Sequence, residues 1–266
     1  MSKLSLSRAW EETTSLLARD GRLFVAVALA LFVLPGLVLN VSMPEAQPGE
    51  FPSAGPWIAV AVIAALVSLV GQLAVIRLAM EPHVAVGEAI SHALKRILAY
   101  IVAVLIWLVP IMIVGSTLYK FLEVNQDRAP VGVAIALLVL SFVGMFLAVR
   151  LMLSSAVASA ENAGPFAILR RSWELSKGNW WRLFCFLILF GIGAIVLLWA
   201  IESVVGLLVR MAFDVSGPLT VGNLLIAIVS QLVSAVLSVI FFVLLARIYV
   251  QRSGGSVQAS VPSSGA

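Results

Sequence analysis

The chain reads as an all-α, polytopic integral membrane protein, and three observations lead there. Its 266 residues are 62% hydrophobic and only 11% charged, whereas soluble domains run about 45–50% apolar and about 25% charged. Six stretches reach the roughly 20 apolar residues that a bilayer-crossing helix needs. The cations, finally, alternate between connections. The N-terminal arm, the second-to-third and fourth-to-fifth connections and the C-terminal end hold 14 of the 17 Lys and Arg residues, against Lys120, Arg128 and Arg210 on the other side. By the positive-inside rule both termini are expected in the cytoplasm. The net charge of +4 sits beside apolar spans and gives no reason to expect nucleic acid. A single cysteine, Cys185, excludes a disulfide framework, and charges of both signs over residues 3–22 argue against a cleaved signal.

Taken in order, Leu6, Ala9, Trp10, Thr13, Leu16 and Leu17 share one face of a first amphipathic helix, with Gly21 as its expected stop. The first span follows over about Leu23 to Val41, with a kink expected at Pro35-Gly36. Residues 42–56 carry four prolines and two glutamates without Lys or Arg, an external loop. The second span runs from Trp57 to about Met80. Val86, Ala89, Ile90, Ala93, Leu94 and Ile97 form a second amphipathic face, opposed by Glu88, His92, Lys95 and Arg96. A third span (about Tyr100 to Tyr119, containing Pro110), a polar loop over Lys120 to Pro130, and a fourth span from about Val131 to Leu153 come next. Ser154-Ser-Ala-Val-Ala-Ser-Ala has the small residues that allow close helix contact.

The densest charged and aromatic run is Glu161 to Arg182. Pro165 suits the first helical turn and Gly178 the C-terminal cap. Phe166, Leu169 and Trp173 recur at helical spacing, with Arg170, Arg171, Glu174 and Lys177 on other faces. This pattern predicts a short basic helix in the headgroup plane, its rings in the acyl boundary. The fifth span runs from about Trp181 to Ile201. Residues 202–219 read as an interfacial or re-entrant helix, because Val204 to Phe213 is too short to cross alone. The sixth span covers about Val221 to Val250.

The order amphipathic helix, span, external loop, span occurs three times, which predicts three parallel hairpin repeats over about 5–82, 83–162 and 163–252 of one membrane domain (1–252), with a disordered tail over 253–266. Trp10, Ala93 and Trp173 hold equivalent places, and Gly71 and Gly144 each precede an arginine by six residues.

Two readings stand for the span-ending Arg77, Arg150 and Arg247: a ring that binds lipid phosphates, or snorkelling side chains that end each inward span. Ser230, Ser234 and Ser238 line one helical face, either a polar pathway or interhelical hydrogen bonds. Glu161 can pair with Arg150, Arg170 or Arg171 to fix a bend. His83 and His92 lack the converging ligands of a zinc site. No nucleophile elbow, phosphate loop or dinucleotide fingerprint is found, and no Asp, Glu or Lys sits mid-span. No catalytic residue, metal or cofactor is therefore expected. Arg77, Arg150, Glu161, Arg170, Arg171, Trp173, Lys177, Arg182 and Arg247 are candidates for headgroup contact or structure.

Arg150-Leu-Met-Leu, Glu161, Gly164, Ala167-Ile-Leu-Arg-Arg-Ser-Trp-Glu-Leu-Ser-Lys-Gly and Trp181-Arg182 resemble the membrane domain attached to some bacterial glycerophosphoryl diester phosphodiesterases and its stand-alone relatives. The resemblance implies a six-helix bacterial membrane domain and does not imply catalysis, since that family's activity resides in a separate soluble barrel whose metal and His/Glu residues have no counterpart here. The function expected is a non-enzymatic scaffold or accessory protein that engages anionic lipid, or a membrane protein partner, through inner-leaflet helices. The alternative is a transporter or flippase-like protein for a lipid or amphiphile.

Overall fold

A computed structural model of the chain describes residues 5–44, 52–81, 84–124, 131–213 and 220–254. Among them every regular element is helical. Six helical runs are long and apolar enough to cross a membrane: Leu6–Ser42, Trp57–Met80, Val86–Leu122, Val131–Ala160, Trp180–Ala212 and Val221–Ser253.

The first run is bent twice. Helix α1 (Leu6–Ala28) is capped by the Ser5 hydroxyl and interrupted at Asp20, whose φ of −113° and ψ of 16° leave the helical region. Gly21 was expected to stop the helix; instead the chain kinks one residue earlier and continues. A π-helical turn, Leu29–Val33, then leads into α2 (Leu34–Ser42). Pro35 explains the turn, because it has no N–H to donate to Leu31 and its ring crowds that carbonyl. The distortion therefore precedes the proline.

Helix α3 (Trp57–Met80) matches its expected span. Helix α4 (Val86–Val124) joins the second amphipathic segment, the third span and the start of the expected polar loop in 39 residues. No Gly or Pro separates Arg96 from Tyr100, so nothing ends the helix there. Pro110 lies inside it. Helix α5 (Val131–Leu151) breaks at a turn over Met152 and Leu153 before the short α6 (Ser154–Ala160) and then α7 (Pro165–Ser176). Helix α8 (Trp180–Ala212) is continuous, which corrects the separate interfacial helix expected over 202–219. Gly206 alone costs a helix about 1 kcal/mol, too little to interrupt this one. Residues 214–219 lie outside the described residues. Helix α9 (Val221–Ser253) is capped by Thr220 and ends at Gly254. The tail expected to be disordered therefore begins as helix, and residues 255–266 lie outside the described residues, as do His83, Asp127 and Arg128.

Consecutive helices α2 and α3, α4 and α5, and α8 and α9 are in contact, and α3 and α9 also pack on each other at the centre. Gly71 makes that centre possible. A Cβ there would come within 2.8 Å of the Leu31 Cβ, so α3 can cross the π-helical turn closely only with glycine at this position.

Burial is concentrated at one end of the bundle. Leu73, Ala74, Val75, Ile76 and Ala79 of α3 pack with Val243, Leu244, Leu245, Ala246 and Ile248 of α9 and with Val157 of α6 in a single core. Elsewhere large apolar side chains face outward: Leu189 is 75% exposed, Trp199 71% and Met211 80%. Soluble proteins rarely leave contiguous apolar surface of this kind open to water. A bilayer would cover it.

Candidate functional site: an arginine-capped helix end

The core-rich end is also where the polar side chains converge, and most of them satisfy backbone carbonyls. The last four C=O groups of a helix have no intrahelical donor. At the end of α5, the Ser172 and Ser176 hydroxyls both donate to the Arg150 carbonyl at 3.1 Å. At the end of α6, Arg96 donates to the carbonyls of Ala158 (3.3 Å), Glu161 (2.7 Å) and Ala163 (2.6 Å), and Arg77 donates to Ser159 (3.4 Å). At the end of α7, Arg252 donates to Leu175 (2.9 Å) and Lys177 (3.2 Å). Cations at helix C-termini also complement the helix dipole. Three C-terminal helix ends are thus closed by side chains from distant parts of the chain.

Helix α6 is held by four other helices. Ser154 to Ser159 are all buried, and α6 touches α3, α4, α7 and α9. Its small side chains allow those approaches, and the Ser159 hydroxyl donates to the Leu73 carbonyl at 3.1 Å.

Glu161, just past α6, receives two partners on one oxygen: Arg171 Nε at 3.1 Å and the Tyr249 hydroxyl at 2.8 Å. Of the three arginines considered for it, the structure selects Arg171. Partial burial works against the Arg171 charge, but the hydrogen bond and the charge of Glu161 outweigh it and raise its pKa above the ordinary value. Arg171 therefore stays cationic. Tyr249 was not anticipated. It lies 88 residues away in sequence, and no local pattern links it to Glu161.

The three span-ending arginines have different surroundings. Arg77 pairs with Glu81 at 2.8 Å. The Arg150 guanidinium lies over the rings of Phe146 (5.3 Å) and Trp173 (4.9 Å), a cation–π arrangement; its Nε and Nη1, like Arg247 Nε, are buried without a hydrogen-bond partner among the described residues. Trp180 stacks on Phe184 with centroids 5.0 Å apart and extends this aromatic cluster to the start of α8.

Helix α7 docks by a face that the sequence pattern does not single out. Ile168, Ser172, Leu175 and Ser176 are buried, while Phe166 and Trp173 are exposed and Leu169 is half-buried. Hydrophobicity alone does not reveal this face, because two of its four residues are serines satisfied by the Arg150 carbonyl. Related pairs occur in α1 and α4: Ala9 is buried beside exposed Trp10, and Ala93 beside exposed Leu94. Ala93 is thus buried where its expected counterparts Trp10 and Trp173 are exposed. Lys177 passes the chain to Gly178, whose φ of +81° is the left-handed conformation that favours glycine after a helix.

Arg170, Lys177 and Arg182 point outward, and Arg170 makes only a loose 3.5 Å pair with Glu174. No cluster of three or more His, Cys, Asp or Glu side chains suited to a metal occurs among the described residues.

Described residues whose regular structure is all helical, with six membrane-length apolar helices and outward-facing apolar side chains among them, define a multi-pass membrane protein. Within that class, residues 4–252 match the family described as Domain of unknown function (DUF7847), and the chain belongs to it. No curated protein and no solved structure matches the chain.

Proposed function

We propose that the protein is a non-enzymatic accessory or scaffold protein of a bacterial inner membrane. Both termini would be cytoplasmic, and three hairpin repeats would present amphipathic segments to the inner leaflet, where they engage anionic lipid headgroups. The observation that carries the reading is the division of the cations. Arg77, Arg96, Arg171 and Arg252 are engaged by protein groups, while Arg170 and Lys177 face outward on the helix that also exposes Phe166. Outward cations flanked by rings suit a boundary between phosphate and acyl chains. The likeness to the membrane domain of glycerophosphoryl diester phosphodiesterases belongs to the same proposal, and a membrane protein partner is the alternative occupant of the inner-leaflet helices.

Each cation near an anionic surface contributes about 1 kcal/mol. Reversing Arg170 and Lys177 to Glu should therefore weaken retention of phosphatidylglycerol by the detergent-solubilised protein roughly 30-fold or more, read by native mass spectrometry against phosphatidylcholine. Retention equal to that of the wild type would refute the reading. The second reading, transport of a lipid or amphiphile, is favoured by one observation, a cavity between α2, α3 and α9 that five polar side chains enter from its lining. Reconstituted protein that moves labelled lipid no faster than empty liposomes would count against transport.

A further inference from the structure

Between α2, α3 and α9, within the apolar part of the bundle, lies a cavity of about 540 Å³. That is within the roughly 300–1,000 Å³ of small-molecule sites. Five polar side chains line it: Ser68 and Gln72 from α3, and Gln231, Ser234 and Ser238 from α9. Two of the three serines expected to share a face of α9 therefore meet two polar residues of α3 across one space, while Ser230 does not line it. On the α2 side the wall is Gly36, where a Cβ would overlap the Gln231 amide. Glycine is what leaves room for that amide.

The hydrogen-bond accounting points to an occupant. Ser238 donates to the Ser234 carbonyl at 2.8 Å, and the Gln72 amide donates to the Tyr100 hydroxyl at 3.3 Å. The Gln231 amide and the Ser68 and Ser234 hydroxyls have no hydrogen-bond partner among the described residues. Ser42, Ser141 and Ser203, by contrast, each fold back onto the carbonyl four residues earlier. Polar groups in a hydrocarbon setting are costly unless paired, and here they aim at a shared space.

The lining also limits what can fit. No Asp, Glu, Lys, Arg or His borders the cavity among the described residues, so a charged group would lie there without a counter-charge. Depth follows from helix rise. Gln72 is five residues before Arg77, and Gln231 sixteen before Arg247, which puts the polar strip about 8 to 24 Å inward from the arginines. Ser234, Ser238 and Phe242 also border a smaller space of about 210 Å³ toward α8, lined by Phe190, Leu198 and Phe241. Room for a hydrogen-bonding head thus adjoins an apolar groove suited to a chain.

We propose that this cavity binds an uncharged, hydroxyl-bearing amphiphile, of the chemistry of a diacylglycerol, with its head against Gln231, Gln72 and Ser68 and a chain along Phe241 and Phe242. The site is separate from the anionic-lipid surface and does not depend on it.

The test is photolabelling of the full-length protein in detergent with a diacylglycerol carrying a diazirine near its glycerol, followed by mapping of the labelled peptides. Saturable labelling of α3 and α9 is expected, at least tenfold above that by a phosphatidic acid probe with the same chains. Gln231→Leu, which keeps the volume and removes the amide, should lower it at least tenfold. Gly36→Val, which pushes the amide into the cavity, should do the same. Arg170→Glu with Lys177→Glu should leave it unchanged, which separates this site from the surface proposal. Labelling spread evenly over α5 and α8, equal labelling by phosphatidic acid, or full labelling of Gln231→Leu would each overturn the proposal and leave the space to water. Should Gln231→Leu fail to fold, Ser68→Ala with Ser234→Ala serves the same comparison.

Discussion

Glu161 holds Arg171 and Tyr249 on a single oxygen, and its energetic weight is modest because the ion pair is partly open to solvent, with side-chain exposures of 39% for Arg171 and 34% for Glu161. Hydrogen bonds to charged groups contribute about 1.5–3 kcal/mol and exposed pairs about 0–1. Glu161→Gln should therefore destabilise the protein by about 1–2 kcal/mol, and Tyr249→Phe by about 1. In a double-mutant cycle read by thermal unfolding in detergent, Tyr249→Phe should cost little more once Glu161 is Ala; full additivity would show that the hydroxyl and the carboxylate are not coupled. Arg96 should matter more. Its fork reaches three carbonyls at the end of α6, a geometry that lysine cannot reproduce. Arg96→Ala should lower stability by about 2–4 kcal/mol, and Arg96→Lys should recover less than half of that; full recovery would mean that charge alone matters. The sequence allowed Arg171 as one of three partners for Glu161. It cast Arg96 as a surface cation of an amphipathic helix, because its receiving carbonyls lie 62 to 67 residues away.

Two glycines that look alike in sequence separate at the scale of the helix. Gly71 and Gly144 each stand six residues before a span-ending arginine. A Cβ on Gly71 would meet Leu31 and Phe32, whereas one on Gly144 would meet nothing within 4 Å. Gly71→Ala should cost about 1–3 kcal/mol through overpacking, while Gly144→Ala should be neutral or stabilising by up to about 1 kcal/mol. Equal effects in thermal melts would contradict the close crossing of α3 over the π-helical turn. Hydropathy located all six apolar runs, since about 20 apolar residues in a row have few other uses. It misplaced their ends at α4 and α8, because charged residues such as Lys95 and Glu202 do not stop a helix and no proline stands there. The docked face of α7 was illegible for a related reason: Ser172 and Ser176 count as polar until the Arg150 carbonyl that receives them is known.

At the scale of the whole molecule, packing is tight at the arginine end and sparse elsewhere, so most apolar contact surface outside that end faces outward. The orientation proposed for the spans has a direct check. In a Cys185→Ala background, an impermeant maleimide applied to intact cells should label Ser53→Cys and spare Ser7→Cys and Ser253→Cys. The reverse pattern would invert the topology and remove the inner-leaflet reading with it.

The cations are proposed to form two sets, an inward one that closes helix ends and an outward one that would meet anionic lipid. This division is tested by measuring thermal stability and phosphatidylglycerol retention side by side in two variants. Arg170→Glu with Lys177→Glu should lose lipid about 30-fold with a small change in melting temperature. Arg96→Ala with Arg252→Ala should lose several degrees or more of stability and keep its lipid selectivity while folded. If the outward variant unfolds early and retains its lipid, or the inward variant loses lipid with its stability intact, the division is wrong.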